Sequence, residues 1–270
     1  MSDLQFRTTA AAGYDQAVGH WTRRLIPSLL RAARLASGQR VVDIASGTGL
    51  AAEAAAAIVG PSGHVVATDI SPAMLELAHE RLSGLSNASC AREDGQFLTF
   101  PDESFDVVIC NMGLMYFPAP ARGLSEFHRA LRRGGRAAVS VYAGPADFSL
   151  TPGRTLVGGV LGAIARRVPS RAAEIQELFF FGRDQRLDAL FEGAGFKNIE
   201  AFTEILRYTL PSFTGYFADI ERGAGNTGQE YTALPDEVRH SVREQVRREI
   251  GDGDGPVEVA VPIRFASGWK

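Results

Sequence analysis

Three carboxylates, Asp43, Asp69 and Asp94, stand at or just past the ends of successive candidate strands. Between the first two lies the turn Ala45-Ser46-Gly47-Thr48-Gly49, followed by the alanine-rich run "LAAEAAAAIVG". A strand, a glycine turn and a helix N-terminus place backbone N–H groups and the positive end of a helix dipole at one edge of a sheet. That edge is a ready ligand site. The carboxylates add a condition: the ligand must bring hydroxyl groups or positive charge, because like charges repel at this range.

Two nucleotide-like ligands answer that description. A dinucleotide has a literal match, since Gly47-Thr48-Gly49-Leu50-Ala51-Ala52 fits G-x-G-x-x-A, and Asp69 lies about 20 residues on, where a ribose-binding acid belongs. Taken alone, that pattern is weakly specific. Against it, Asp43 would face a pyrophosphate, whereas it suits a ligand carrying ammonium or sulfonium charge. Neither of the two lysines, Lys197 and Lys270, follows a tyrosine by four residues, as a short-chain hydride-transfer pair requires. Acids at three strand ends fit an adenosyl ligand gripped at its amino-acid, ribose and adenine parts. Ala45 is tolerable in such a turn at negative φ and costly at positive φ.

The elements that must position these residues alternate. "RVVDIAS" (40–46), "HVVATDI" (64–70), residues 88–92, "SFDVVICNM" (104–112) and "RAAVSVY" (136–142) read as strands. Helices fall between them: one closed by Gly60 and Pro61, one opened by Ser71 and Pro72, and "PARGLSEFHRALRRGG", ending on Gly134-Gly135. Strands alternating with helices imply right-handed crossovers and a parallel sheet with helices on both faces. Residues 14–36 predict one or two helices with Trp21, Leu25, Ile26, Leu29 and Leu30 on an apolar face. The second half predicts a helix, a Gly-Phe turn and a long strand in "LDALFEGAGFKNIEAFTEILRYTL", helices over 211–250 and a closing strand in "PVEVAVPIRFASGWK".

Composition narrows the class. The chain has 270 residues, 45% of them hydrophobic and 22% charged, with a net charge of -3. Those values describe a globular protein with ample core, and the absence of a basic block argues against nucleic acid. Cys90 and Cys110 read as buried free thiols. With no 18-residue apolar run and no basic-then-apolar start, the expectation is a cytoplasmic protein without membrane association.

With these residues in place, the chain resembles the class I S-adenosylmethionine-dependent methyltransferases, in the broad small-molecule group that includes the ubiquinone-type enzymes. Asp43-Ile44-Ala45-Ser46-Gly47-Thr48-Gly49 stands where that family has D-x-G-x-G-x-G, with Ala45 replacing the first glycine. "DGQFLTFPDESFDVVICNMGLMYFPAPARGLSEFHRALRRGGRAAVSV" resembles the family's later motifs almost continuously, and "FEGAGFKNIE" is similar to its helix-turn-strand. The likeness is strong over 38–145 and moderate over 184–207. It implies a doubly wound, Rossmann-like seven-stranded sheet with the last strand antiparallel and helical cap segments. The chain would form one domain: a helical lid (1–37), a cofactor-binding core (38–145), cap segments (146–183 and 208–255), and a closing helix and strands (184–207 and 256–270).

The resemblance further implies S-adenosylmethionine as cofactor; nothing in the sequence identifies a metal cluster, so a metal-free enzyme is expected. Asp43, Ala45, Ser46, Gly47, Thr48 and Gly49 would bound its methionine part, and Asp69 would accept from both ribose hydroxyls. Ile70 and Met74 would pack beside the adenine, Asp94, Gly95 and Gln96 would meet its edge, and Asn111 and Met112 would close the flank. Tyr14, in a "YD" pair ahead of the glycine turn, is a candidate cofactor or lid contact. Asp69 and Asp94 each have an alternative role as a cap of the following turn or helix. Met115, Tyr116, Phe180, Phe213 and Phe217 are candidates for an apolar acceptor pocket, although aromatics in a helical cap can equally pack on each other. His20 is the one histidine placed to reach the acceptor as a catalytic base; His128 reads as solvated. Methyl transfer needs alignment more than acid–base chemistry, so a missing base is no objection.

The expected function is methyl transfer to a small, fairly apolar metabolite, with oxygen as first acceptor and nitrogen or carbon open. The preference for arginine over lysine points to a GC-rich bacterial genome, where such enzymes tailor secondary metabolites. The partner is a small-molecule acceptor, with a homodimer left open. Two alternatives stand beside this: an NAD(P)-dependent oxidoreductase, and a methyltransferase-like fold that binds the cofactor without transferring its methyl group.

Overall fold

The computed structural model describes residues 14–15, 19–143, 156–178, 186–223, 225–250 and 255–270. Seven strands form one sheet in the order β3-β2-β1-β4-β5-β7-β6. They are β1 (Arg40–Ile44), β2 (His64–Asp69), β3 (Ala88–Arg92), β4 (Phe105–Asn111), β5 (Leu131–Tyr142), β6 (Lys197–Leu210) and β7 (Val257–Trp269). Strands β1 to β5 pair in parallel, and β7 runs antiparallel between β5 and β6. The chain winds outward from β1 through β2 to β3, then returns to place β4 on the other side of β1. Ligands in such sheets bind at this reversal, outside the carboxyl ends of the strands.

The helices that position this edge have clear local causes. A short turn of helix α1 (His20–Thr22) and a 3-10 turn (Arg23–Leu25) lead into α2 (Ile26–Ala32), and the five apolar residues expected on one face are all buried. Helix α3 (Leu50–Val59) packs on β1 and β2, and α4 (Pro72–Leu82) packs on β2 and β3. Gly49 begins α3 at φ 81, and a Cβ there would stand 3.2 Å from the Ala78 Cβ of α4, so only glycine lets the two helices close up. Helix α4 opens as expected, with the Ser71 hydroxyl accepting from the Met74 N–H and Pro72 in the first turn.

Two local expectations are corrected. Helix α5 (Pro120–Ala130) stops five residues before Gly135, because Leu131 turns extended and pairs with Phe105 in the sheet, where it is fully buried. Sheet pairing of a core leucine overrides the later Gly-Gly stop signal. His128 is half-buried and not solvated: its ring meets Phe196 edge-on at 5.1 Å, and burial pulls its pKa down.

The second half adds α6 (Leu156–Arg167), α7 (Pro169–Leu178), α8 (Arg186–Gly193), α9 (Phe213–Glu221), α10 (Gly225–Thr232) and α11 (Asp236–Ile250). Helices α6, α7, α9, α10 and α11 pack largely on one another, and α7 also touches a 3-10 turn at Leu114–Tyr116. Val242 and Val246, one turn apart on α11, are fully buried. Cys90 and Cys110 are free thiols, the latter buried. Among the described residues no helix is long and apolar enough to cross a membrane.

Candidate active site

Strand β1 ends by carrying Asp43 into the interior. Its carboxyl group is fully buried, and neither oxygen has a hydrogen-bond partner among the described residues. Burial, reinforced by the neighbouring Asp69 charge, pushes its pKa up to about 8, while the nearby Ala52 N–H pulls weakly the other way without closing a bond. An orphaned buried carboxyl is expensive unless a ligand completes it. This one requires a cation or a set of donors.

The chain then bends sharply. Ala45 has φ 55, the costly case anticipated for an alanine in this turn, and Gly47 has φ 55 as well. The Ser46 N–H donates to the Thr68 carbonyl at 2.8 Å, and the Gly47 N–H donates to Asp69 Oδ2 at 2.9 Å. Asp69 Oδ1 accepts from the Ser71 N–H at 2.9 Å. Each Asp69 oxygen thus accepts a backbone N–H and has further acceptor capacity. Desolvation raises the Asp69 pKa against the pull of these backbone donors.

At the end of β3, Asp94 Oδ1 accepts from both the backbone N–H and the side-chain amide of Gln96, at 2.9 and 3.2 Å. Asp94 therefore does cap a turn, and that turn fixes Gly95 and Gln96, both buried. Gln96 Oε1 in turn accepts from the Ala119 N–H at 2.7 Å. Ile70 is 55% exposed at the rim beside Asp69, while Met74 is buried in the first turn of α4. Phe97 is 56% exposed, and the Arg122 guanidinium lies 3.8 Å from its ring centroid.

At the end of β4, Asn111 Oδ1 accepts from the Ser140 hydroxyl, and Met112 adopts φ 58. Met115 is buried and Tyr116 half-buried in the 3-10 turn that follows. Tyr14 comes in from the N-terminal segment. Burial and the charges of Asp69 and Asp15 push its pKa up; burial first, and then electrostatic repulsion from Tyr14, raise that of Tyr116. Both phenols stay neutral at physiological pH and act as hydrogen-bond groups.

Sequence-predicted residues from four strand ends and the N-terminal segment thus converge on one edge. Two aromatic candidates do not join them. Phe217 is fully buried against Phe213, Tyr216 and Tyr231, with the Arg243 guanidinium 5.6 Å from the Phe213 and Phe217 rings. Phe213 and Phe217 form the interior of the cap and correct the expectation that they line a pocket. Phe180 and the His20 side chain lie outside the described residues. One group had no sequence signal: Arg81, on α4, donates through Nε to the Thr48 carbonyl at 2.7 Å and pairs with Asp15 and Glu53.

Comparison with known proteins agrees with this geometry. A family model described as a methyltransferase domain matches residues 41–135. Demethylmenaquinone methyltransferase of Staphylococcus carnosus is 30% identical over 208 residues, which cover 75% of this chain and 81% of that one. The demethylmenaquinone methyltransferase of Clavibacter sepedonicus is 33% identical over 175 residues, covering 63% and 70%. Phosphoethanolamine N-methyltransferase 2 of Haemonchus contortus, solved in complex with S-adenosyl-L-methionine, shares the fold with a TM-score of 0.61 at 17% identity, over 99% of this chain and 58% of that one. The dinucleotide alternative falls here, and its G-x-G-x-x-A match reflects an alanine-rich helix. The chain belongs to the class I S-adenosylmethionine-dependent methyltransferases, in the ubiquinone-type group, and S-adenosylmethionine is its cofactor.

Proposed function

We propose that this methyltransferase acts on a small, apolar, hydroxylated aromatic acceptor, and that the methyl group goes to a ring carbon. The cofactor supplies a methyl group activated by its sulfonium. The observation that carries the cofactor side is Asp43, a fully buried carboxyl with two unpartnered oxygens at the end of β1. A ligand bearing ammonium and sulfonium charge removes that deficit, and a pyrophosphate deepens it. In this reading the free lone pairs of Asp69 take the ribose hydroxyls, and the Asp94 turn presents the Gly95 and Gln96 backbone to the adenine. Exposed Ile70 gives the adenine an apolar platform, while Ala45 to Gly49, with Asn111 and Met112, surround the methionine part. Met115 and Tyr116 then border the acceptor, with the neutral Tyr116 hydroxyl able to donate to an acceptor oxygen.

Oxygen was the first expectation from sequence. Carbon is favoured by the relatives, which are named for demethylmenaquinone and, in Teredinibacter turnerae, for ubiquinone/menaquinone C-methylation. A ring carbon beside an ionised hydroxyl and the hydroxyl oxygen itself are competing nucleophiles of one substrate, so the same pocket serves either outcome. The test is transfer from cofactor carrying a ¹³C methyl group to a short-chain demethylmenaquinol, a simple phenol and an amine. A new aryl C–CH₃ resonance from the quinol supports the proposal. A methoxy or N-methyl product, or no product from any acceptor, overturns it.

A further inference from the structure

We propose that Arg81 is a positioning residue that latches the Tyr14-Asp15 segment across the cofactor cleft, and so sets how fast the cofactor and its demethylated product leave. Arg81 lies in the last turn of α4 and carries none of the groups assigned to the cofactor. Its side chain is 17% exposed and uses every side of its guanidinium fork. Nε donates to the Thr48 carbonyl at 2.7 Å, one terminal nitrogen pairs with Glu53 at 3.3 Å, and the other pairs with Asp15. Asp15 closes the ring by accepting from the Thr48 hydroxyl at 2.6 Å, and Thr48 is itself buried. One arginine therefore ties together the N-terminal segment, the glycine turn, α3 and α4.

The ring is placed to control access. Asp15 is the neighbour of Tyr14, whose buried hydroxyl stands within electrostatic reach of Asp69 and Tyr116 inside the cleft. Four residues later the segment presses on the start of α3: a Cβ at Gly19 would lie 3.0 Å from Asp15 Oδ1 and 3.3 Å from Leu50. The Asp15 bonds to Arg81 and Thr48 hold the backbone that carries Tyr14 against the glycine turn. Both bonds involve an ionised partner, the stronger class of hydrogen bond. The chemistry selects arginine, because three partners in three directions match a planar fork and not the single ammonium of lysine.

This inference rests on the reading that Tyr14 and the glycine turn hold the cofactor. The test follows release of S-adenosylhomocysteine from the full chain by stopped flow, beside equilibrium titration and thermal melts. Arg81→Lys and Asp15→Asn are each expected to raise the release rate about tenfold. The double variant should rise no further than the faster single variant. Glu53→Gln, which touches Arg81 but not Asp15, should stay within about twofold of the parent. Unchanged release in both single variants, whatever happens to the melting temperature, overturns the latch, as does a strictly multiplicative effect in the double. If the parent protein fails to bind the cofactor in the titration, the cleft assignment falls and the latch falls with it.

Discussion

Two buried ionisable groups in one sheet are treated differently. Arg136, on β5 level with Val107 of β4, is 1% exposed, and its Nε donates to the Ala32 carbonyl at 2.7 Å. One terminal nitrogen serves Glu200 at 2.6 Å and the Ser267 hydroxyl at 2.7 Å, and the Trp269 ring lies 4.7 Å away. Only the other terminal nitrogen has no hydrogen-bond partner among the described residues. Asp43, at the carboxyl end of β1, is fully buried and has no hydrogen-bond partner among the described residues. A protein buries a charge cheaply when it supplies the counter-groups itself. Arg136 cross-links α2, β5, β6 and β7 in that way. Asp43 is left incomplete where the winding of the sheet opens a cleft, and a ligand must complete it. One group serves stability and the other serves binding at a cost in stability.

The largest expected effect tests the first half of that contrast. Arg136→Ala removes the largest of the fully buried side chains and takes away the donor to the Ala32 carbonyl and the Ser267 hydroxyl oxygen. It should cost about 4 kcal/mol in denaturant unfolding, with cofactor affinity of the folded protein unchanged. A loss below about 1 kcal/mol would show that Arg136 is no better integrated than a surface residue.

Asp43→Asn should do the reverse. Removing the charge that receives the cofactor's cation should weaken binding about a hundredfold by calorimetry (~2.7 kcal/mol). Stability should not fall, and its pH dependence should change in a defined direction. Below about pH 4 the Asp43 carboxyl is protonated in both folded and unfolded chains. Between there and its folded pKa of about 8 the unfolded chain has released the proton and the folded one has not, so the Asp43 contribution falls as pH rises. The asparagine variant lacks that slope, and the difference in unfolding free energy between variant and parent should grow from pH 4 to 8 and then level off. Cofactor affinity of the parent should strengthen over the same window. A flat difference curve would place Asp43 in a hydrated environment and remove the basis for its role.

How much of this was legible in the sequence depends on distance along the chain. The core was readable because β-branched runs alternate with helices whose starts carry Ser71 and Pro72. The cleft was readable because its residues come in contiguous pieces at strand ends: 43–49, 69–70, 94–96 and 111–116. The Arg81 ring was not, since it joins residues 33 and 66 positions apart through side chains with no periodic signature. Phe213 and Phe217 misled because helical aromatic spacing looks the same whether a ring faces a ligand or its neighbours. The end of α5 misled because Leu131 is decided by its partner across the sheet, Phe105, and not by the glycines that follow.

A smaller effect is expected where two tight turns meet. A Cβ at Gly113 would lie 2.6 Å from the Ala45 methyl and 2.9 Å from the Cys110 sulfur. Gly113→Ala should therefore cost about 2 kcal/mol by overpacking. Adding Ala45→Gly should restore part of that, because it removes the nearer obstacle. Full additivity of the two changes in unfolding free energy would show that the turns do not share this contact.

Ala45→Gly alone is the finest probe. At φ 55 the alanine occupies a conformation that costs an L-residue about 1–2 kcal/mol relative to glycine. Glycine also gains freedom in the unfolded chain, which offsets about 0.5–1 kcal/mol of the relief. The net expectation is a stabilisation of about 0.5–1 kcal/mol in denaturant unfolding. Cofactor affinity then separates two roles for the methyl group. If it is only accommodated, affinity should change less than about threefold, with the gain confined to stability. A loss above about tenfold (~1.4 kcal/mol) would mean that the strained methyl narrows the cleft around the methionine part, placing Ala45 with Asp43 among residues that give up stability for binding.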